Sequence, residues 1–140
     1  MIQRIQTVYL LLSAVAIILA IFMPVGFIYT TNGVEAPLHL YESYWGLLGI
    51  LSIAAIINIG TIFLFKNRIL QIRFCSFNSL ILLGFYIAAV TFYIMMDTTL
   101  FSFRINWTLC LPAISIILNI LAIRGIAKDE ALVRAANRIR

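Results

Sequence analysis

Two carboxylates and an imidazole that lie close together in the sequence, Glu35, His39 and Glu42, are the groups best suited to acid–base chemistry. Such a set could transfer protons if the three side chains were held within hydrogen-bond reach of a substrate. The neighbouring residues supply neither a nucleophile nor an array of oxyanion donors. We therefore expect three solvated side chains in an exposed connector, and no enzyme activity.

The cysteines and the single histidine do not form a metal-binding pattern. Neither CxxC nor HExxH spacing occurs, and His39 is far in sequence from both Cys75 and Cys110. The topology derived below places the two cysteines near opposite faces of a bilayer, so they cannot form a disulfide with each other. The sequence predicts no metal site and no cofactor.

Four long apolar runs fill most of the chain and would have to position any functional group. An α-helix needs roughly 17 to 25 residues to cross the hydrocarbon core, and each run reaches or approaches that length. The chain of 140 residues is 64% hydrophobic and 11% charged, and its connectors are too short for a separate soluble domain. We predict an all-α membrane protein, a four-transmembrane-helix bundle forming a single domain over residues 1–140. The predicted spans are residues 7–24, 45–65, 79–96 and 107–123.

The first run could instead be a cleaved signal peptide, because Arg4 precedes an apolar stretch. The run extends to Met23 and ends in Pro24, however, and its alanines lie too deep to form a small-x-small cleavage site. We expect this helix to be retained.

The distribution of basic residues predicts the orientation of the bundle. Of the ten Lys and Arg residues, Arg104 is the one in a connector on the far side, and the connector over residues 25–44 has none. By the positive-inside rule both termini are cytoplasmic. The net charge of +5 then indicates attraction to anionic lipid rather than to nucleic acid. The cations on the cytoplasmic side are Arg4, Lys66, Arg68, Arg73, Arg124, Lys128, Arg134, Arg138 and Arg140.

The external connector between the first two spans predicts a β-hairpin. β-branched and aromatic residues flank Asn32-Gly33, a pair that suits a two-residue type I′ turn. The hairpin could serve as a binding surface or as a cap on the helix ends. Tyr41, Tyr44 and Trp45 follow it as an interfacial aromatic belt, and we expect them to contact lipid or a partner.

The spans contain amides and hydroxyls but no Asp, Glu, Lys, Arg or His. Asn58 and Asn119 lie at similar depths, and a carboxamide facing lipid is costly, so both should point into the bundle and bond across helices. Ser115 and Thr61 are further candidates for interhelical contacts. Pro112, one turn inside the fourth run, predicts a kink near its external end. The absence of buried charge disfavours a pump or ion-coupled transporter.

The segment over residues 124–140 predicts a helical extension on the cytoplasmic side. Glu130 precedes Arg134 by four residues, which is the favourable order for an ion pair on a helix. Arg134, Arg138 and Arg140 could contact lipid headgroups, a partner protein or water, and the sequence leaves these alternatives open.

Three segments carry a resemblance to a known group of proteins: the opening MIQRIQTVYL, the Trp45-Gly46 start of the second run, and the tail from Arg134 to Arg140. They resemble a family of short four-span membrane proteins of unknown function from Bacteroidota. The resemblance covers essentially the whole chain. It implies a four-helix fold in the bacterial inner membrane and supplies no active-site residue.

The sequence therefore predicts a non-enzymatic integral membrane subunit that packs against other membrane proteins of a larger inner-membrane assembly. One version is an accessory component of the protein export or insertion machinery. The alternative is a binder or carrier of a small molecule such as a lipid or quinone. Its groove would lie near Asn58, Tyr86, Tyr93, Pro112 and Asn119.

Overall fold

Four long helices and three short strands are present in the computed structural model, which describes residues 2–29, 35–40, 44–95 and 102–138. The strands and a short 3-10 helix occupy the connectors between helices. In chain order the elements are α1 (Ile2–Phe22), β1 (Gly26–Tyr29), β2 (Glu35–Leu38), α2 (Trp45–Phe63), α3 (Arg68–Met95), β3 (Ser102–Ile105), the 3-10 helix Trp107–Leu109, and α4 (Cys110–Arg138).

Each of the four helices is long and apolar enough to cross a membrane, as judged by length and composition. With 28 and 29 residues, α3 and α4 extend about 42 to 44 Å, which exceeds the roughly 30 Å of a hydrocarbon core. The third predicted span begins at residue 79, whereas α3 begins at Arg68. Polar residues interrupt the apolar run there without interrupting the helix. The predicted helical tail is confirmed, since α4 continues to Arg138.

The strands form one antiparallel sheet in the order β2-β1-β3. The predicted pairing of β1 with β2 is confirmed, with Phe27 opposite Pro37, while the predicted Asn32-Gly33 turn lies outside the described residues. The prediction of a two-stranded hairpin is incomplete, because β3 pairs with the other edge of β1 and places Arg104 opposite Phe27. An isolated hairpin is marginal in water, and the third strand adds the pairing that it lacks.

The sheet gathers four helix ends at one end of the bundle, here called the sheet end. There β1 follows α1, β2 precedes α2, and β3 lies between α3 and α4. At the opposite end, here called the basic end, α1 begins, residues 64–67 connect α2 to α3, and α4 ends. Successive helices pack side by side and α4 packs against α1, so the four helices form a closed ring.

Pro112 occupies the first turn of α4, which begins at Cys110. The first N–H groups of an α-helix have no intrahelical acceptor, so a proline in this turn removes no hydrogen bond from the helix. The Asn106 side chain accepts a hydrogen bond from Trp107 N at 2.9 Å and starts the preceding 3-10 helix. The kink that the sequence suggested at Pro112 therefore has no broken hydrogen bond to cause it.

The apolar core is divided into two clusters. The larger lies toward the sheet end and includes Ile17, Leu51, Leu82 and Phe85. The smaller lies toward the basic end and is formed by Leu10, Cys75 and Ala122, with Ile62 packed against it. The residues between the two clusters are polar.

Candidate functional site

The polar residues between the two apolar clusters come from all four helices. They are referred to below as the polar layer, and each is at most 1% exposed. On each helix, the layer lies one turn closer to the sheet end than the small apolar cluster does. Its members are Ser13 of α1, Asn58 of α2, Asn78 of α3, and Ser115 and Asn119 of α4.

Ser13 is the centre of the hydrogen bonds in the polar layer. Its Oγ accepts from Asn58 Nδ2 at 2.6 Å and donates to Asn119 Oδ1 at 3.0 Å. Ser115 Oγ lies 2.5 Å from Ser13 Oγ. Either hydroxyl can be the donor in this third bond. One serine thus joins α1 to both α2 and α4.

Four atoms of the polar layer have no hydrogen-bond partner: Asn58 Oδ1, Asn119 Nδ2, and both amide atoms of Asn78. Each unpaired buried group costs about 1 to 3 kcal/mol, so a conformation that pairs them is favoured. The set contains two acceptors and two donors. A water molecule both donates and accepts and so pairs with both kinds, whereas a bare cation would leave the amide donors unpaired.

The described residues offer little for metal or acid–base chemistry. No group of three or more His, Cys, Asp or Glu among them could hold a metal ion. The predicted solvated set is only partly described: His39 is half-buried, while Glu42 and the Glu35 side chain lie outside the described part. The polar layer contains only uncharged amides and hydroxyls, so its chemistry is hydrogen bonding between helices.

Thr61 does not make the contact between helices that the sequence suggested. Its Oγ1 donates to Ile57 O of the same helix at 2.7 Å. This bond to the carbonyl one turn back satisfies the hydroxyl without a second helix. Ser13, the centre of the polar layer, was not among the contacts predicted from the sequence. Sequence reasoning placed Asn78 outside the membrane-spanning part of the third helix, although Asn78 shares a helical face with Leu82 and Phe85.

A second buried polar contact lies at the basic end. Gln6 Nε2 donates to Asp129 Oδ2 at 2.6 Å, and the two residues are 7% and 8% exposed. Gly125 makes room for this contact, because a Cβ at its position would lie 3.1 Å from Gln6 Cγ. The pair joins the start of α1 to the tail of α4, so this part of the tail packs on its own bundle.

The predicted lipid or partner contacts are only partly described. Tyr44 packs edge-on against Phe92, with ring centroids 5.5 Å apart, and Trp45 is 74% exposed. Arg134 Nε lies 3.1 Å from Glu130 Oε1 in an exposed ion pair. Tyr41, Arg140 and the Arg138 side chain lie outside the described part of the chain.

An apolar cavity of about 190 Å³, here called the sheet-end pocket, opens between α2 and α3. Tyr86 and Tyr93 contribute to its lining, and Tyr86 Oη donates to Leu109 O at 2.5 Å. The residues of the groove that the sequence suggested therefore do not line one cavity. Tyr86 and Tyr93 line the sheet-end pocket, whereas Asn58 and Asn119 lie in the polar layer. Tyr44, Leu47, Ala89 and Phe92 also line the pocket.

These features define a mostly helical protein with four helices apolar enough to cross a membrane, a polar layer inside the bundle and a three-stranded sheet at one end. The model of one family, described as Domain of unknown function (DUF4293), matches residues 2–139, and the chain belongs to this family. The match confirms the resemblance to an uncharacterised family. No curated protein and no solved structure matches the chain significantly.

Proposed function

We propose that the chain is a multi-pass protein of a bacterial inner membrane, with both termini cytoplasmic, and that it acts as a non-enzymatic subunit of a larger membrane assembly. The concentration of cations at the basic end supports this orientation, because short cytoplasmic segments of membrane proteins are rich in Lys and Arg. The described cations there are Lys66, Arg68, Arg73, Arg124, Lys128 and Arg134.

The observation that carries the proposal is how the polar layer uses its hydrogen bonds. The hydroxyl of Ser13 is fully occupied by Asn58, Ser115 and Asn119. The layer therefore holds helices together and presents no activated nucleophile. One form of the proposal is an accessory component of the protein export or insertion machinery, which would require close packing of this small bundle beside a larger membrane protein.

Purification tests the subunit role. A tag on the C-terminal tail, used in mild detergent from native membranes, should recover one membrane protein in fixed stoichiometry with the chain. A photo-crosslinker at Ile87, which is 70% exposed on α3, and another at Leu11, which is 53% exposed on α1, would then compare two faces. A subunit should give a protein adduct from one face. Recovery of the chain alone, with lipid adducts from both faces, would overturn the proposal.

The sheet-end pocket favours a second function, the binding of an apolar chain such as a lipid or quinone tail. Its lining is apolar apart from tyrosines, of which Tyr86 already bonds to Leu109. Pockets for complete drug-sized ligands measure about 300 to 1,000 Å³. A cavity of about 190 Å³ therefore suits part of a ligand, such as the end of a hydrocarbon chain.

Ala89→Phe should fill the sheet-end pocket and reduce ligand retention several-fold, because the new ring takes the space of the bound chain. Lipids and quinones extracted from the purified variant would be quantified by mass spectrometry. Ile87→Phe is the matched control, since it adds a ring of the same kind to an exposed position on the same helix. Equal retention by both variants and the unmodified protein would argue against a ligand in this pocket.

A further inference from the structure

A second cavity, of about 420 Å³, lies at the basic end between the start of α1 and the connection from α2 to α3. It is here called the basic-end groove. Unlike the sheet-end pocket, it combines polar and apolar side chains in its lining. Thr7, Leu11 and Leu12 contribute from α1, and Phe65, Arg68 and Gln71 contribute from the connection and the start of α3.

The lining changes from polar to apolar along the groove. On α1, Gln6 and Thr7 lie nearest the basic end, and Leu11 and Leu12 follow about 6 to 8 Å beyond Thr7 at the rise of a helix. Leu11 and Leu12 are 53% and 47% exposed, so an occupant can reach their side chains. A phospholipid has the same order of chemistry, with a polar headgroup followed by apolar chains.

Arg68 gives the groove its charge. The side chain is half-buried, and among the described residues it has no carboxylate within ion-pair distance and no hydrogen-bond acceptor. Glu130 lines a neighbouring cavity that Arg68 also borders, but its carboxylate is paired with Arg134, so the half-buried guanidinium of Arg68 favours an anionic occupant. The planar guanidinium can donate two parallel hydrogen bonds to phosphate oxygens, and Lys66 adds positive charge nearby.

We propose that the basic-end groove binds one phospholipid with an anionic headgroup. Arg68 bonds to the phosphate, Gln71 lies beside the headgroup, and an acyl chain lies along Leu11 and Leu12. In the proposed orientation the groove opens to the cytoplasmic leaflet, where anionic lipids are concentrated. The proposal rests on the membrane location proposed above, and it is independent of the subunit role.

Native mass spectrometry of the detergent-purified chain tests this site. The probes are phosphatidylglycerol and phosphatidylcholine with identical acyl chains. The unmodified chain should retain one phosphatidylglycerol in preference to phosphatidylcholine, and Arg68→Gln should weaken that retention about tenfold, as expected for loss of charge-assisted hydrogen bonds. Arg73→Gln, an exposed arginine on the same helix, should retain the preference.

Two outcomes would overturn the proposal. Equal weakening by Arg68→Gln and Arg73→Gln would show diffuse attraction to a basic surface instead of a site. Displacement of the lipid by millimolar glycerol phosphate, which has the headgroup chemistry without acyl chains, would show that a phosphate alone is bound. Far-ultraviolet circular dichroism of each variant confirms that the compared proteins are folded, and Arg68→Lys, which keeps the charge, should restore part of the preference.

Discussion

Ser13→Ala should lower the free energy of unfolding by about 2 kcal/mol, which is the sum of three interhelical hydrogen bonds at the average measured in membrane bundles. The substitution removes a single oxygen atom. It leaves Asn58 Nδ2 and Asn119 Oδ1 without their partner in the buried polar layer, while Ser115 Oγ keeps only its longer bond to the backbone oxygen of residue 13 at 3.3 Å. The loss should be visible as reduced stability in reversible unfolding by mixed detergent micelles.

Ser79→Ala is the matched control for this experiment, because the Ser79 hydroxyl donates to Cys75 O of its own helix at 3.0 Å. Its loss should change stability by less than about 0.5 kcal/mol, since no other helix depends on it. Equal effects of the two substitutions would show that Ser13 does not join the helices. Replacing Ser13, Asn58 and Asn119 together by apolar residues should cost less than the sum of the single changes, because the two amides that bond to Ser13 are then removed together with it.

Asp129→Ala should release the tail of α4 from the start of α1, with a loss of about 1.5 kcal/mol or more from a hydrogen bond to a charged group. The Gln6 amide loses its acceptor at 2.6 Å while remaining largely buried. We expect faster cleavage by trypsin at Arg134, which follows the broken contact on the tail. The cleavage rate in detergent measures this directly.

Neighbouring substitutions separate this contact from general effects of charge. Glu130→Ala removes the exposed ion pair with Arg134, and exposed pairs contribute only about 0.3 to 0.5 kcal/mol. Asp129→Asn removes the charge but keeps an oxygen that can accept from Gln6. Cleavage should therefore rise with Asp129→Ala and change little with Asp129→Asn. If Glu130→Ala accelerated cleavage as much as Asp129→Ala, the buried contact would not be what holds the tail.

Sequence reasoning could identify the spans and the buried amides for one shared physical reason: in lipid, every departure from apolar composition carries a cost. Asn58 and Asn119 stood out against long apolar runs, and each bonds to Ser13 in the structure. Ser13 was less conspicuous because a single hydroxyl is inexpensive in a helix. Its central place depends on the rotation of α1 relative to two other helices, which the local sequence does not encode.

The third predicted span and α3 begin at different residues, because hydropathy detects the apolar run and not the helix. The segment from Arg68 to Asn78 is too polar to extend an apolar run, yet it contains no proline or glycine to end a helix. Asn78 was therefore excluded from the bundle, although it is buried level with the other members of the polar layer.

The third strand was missed for a different reason. Ser102–Ile105 has four residues and no turn signal of its own, and its partner β1 is more than seventy residues earlier in the sequence. Pairing over that distance depends on the helices bringing their ends together. The contact between Gln6 and Asp129 could not be predicted for the same reason, because the two residues are far apart in the sequence.

The sheet order has a consequence for biosynthesis. β1 is the central strand, yet one of its two neighbours is made only after α3 has been completed. The partners of Ser13 on α4 follow about one hundred residues behind it. Since chains are synthesised from the N-terminus, α1 is completed while its serine and one edge of β1 are still unpaired. Synthesis of α1 and closure of the bundle are thus separate events, because closure requires the last helix.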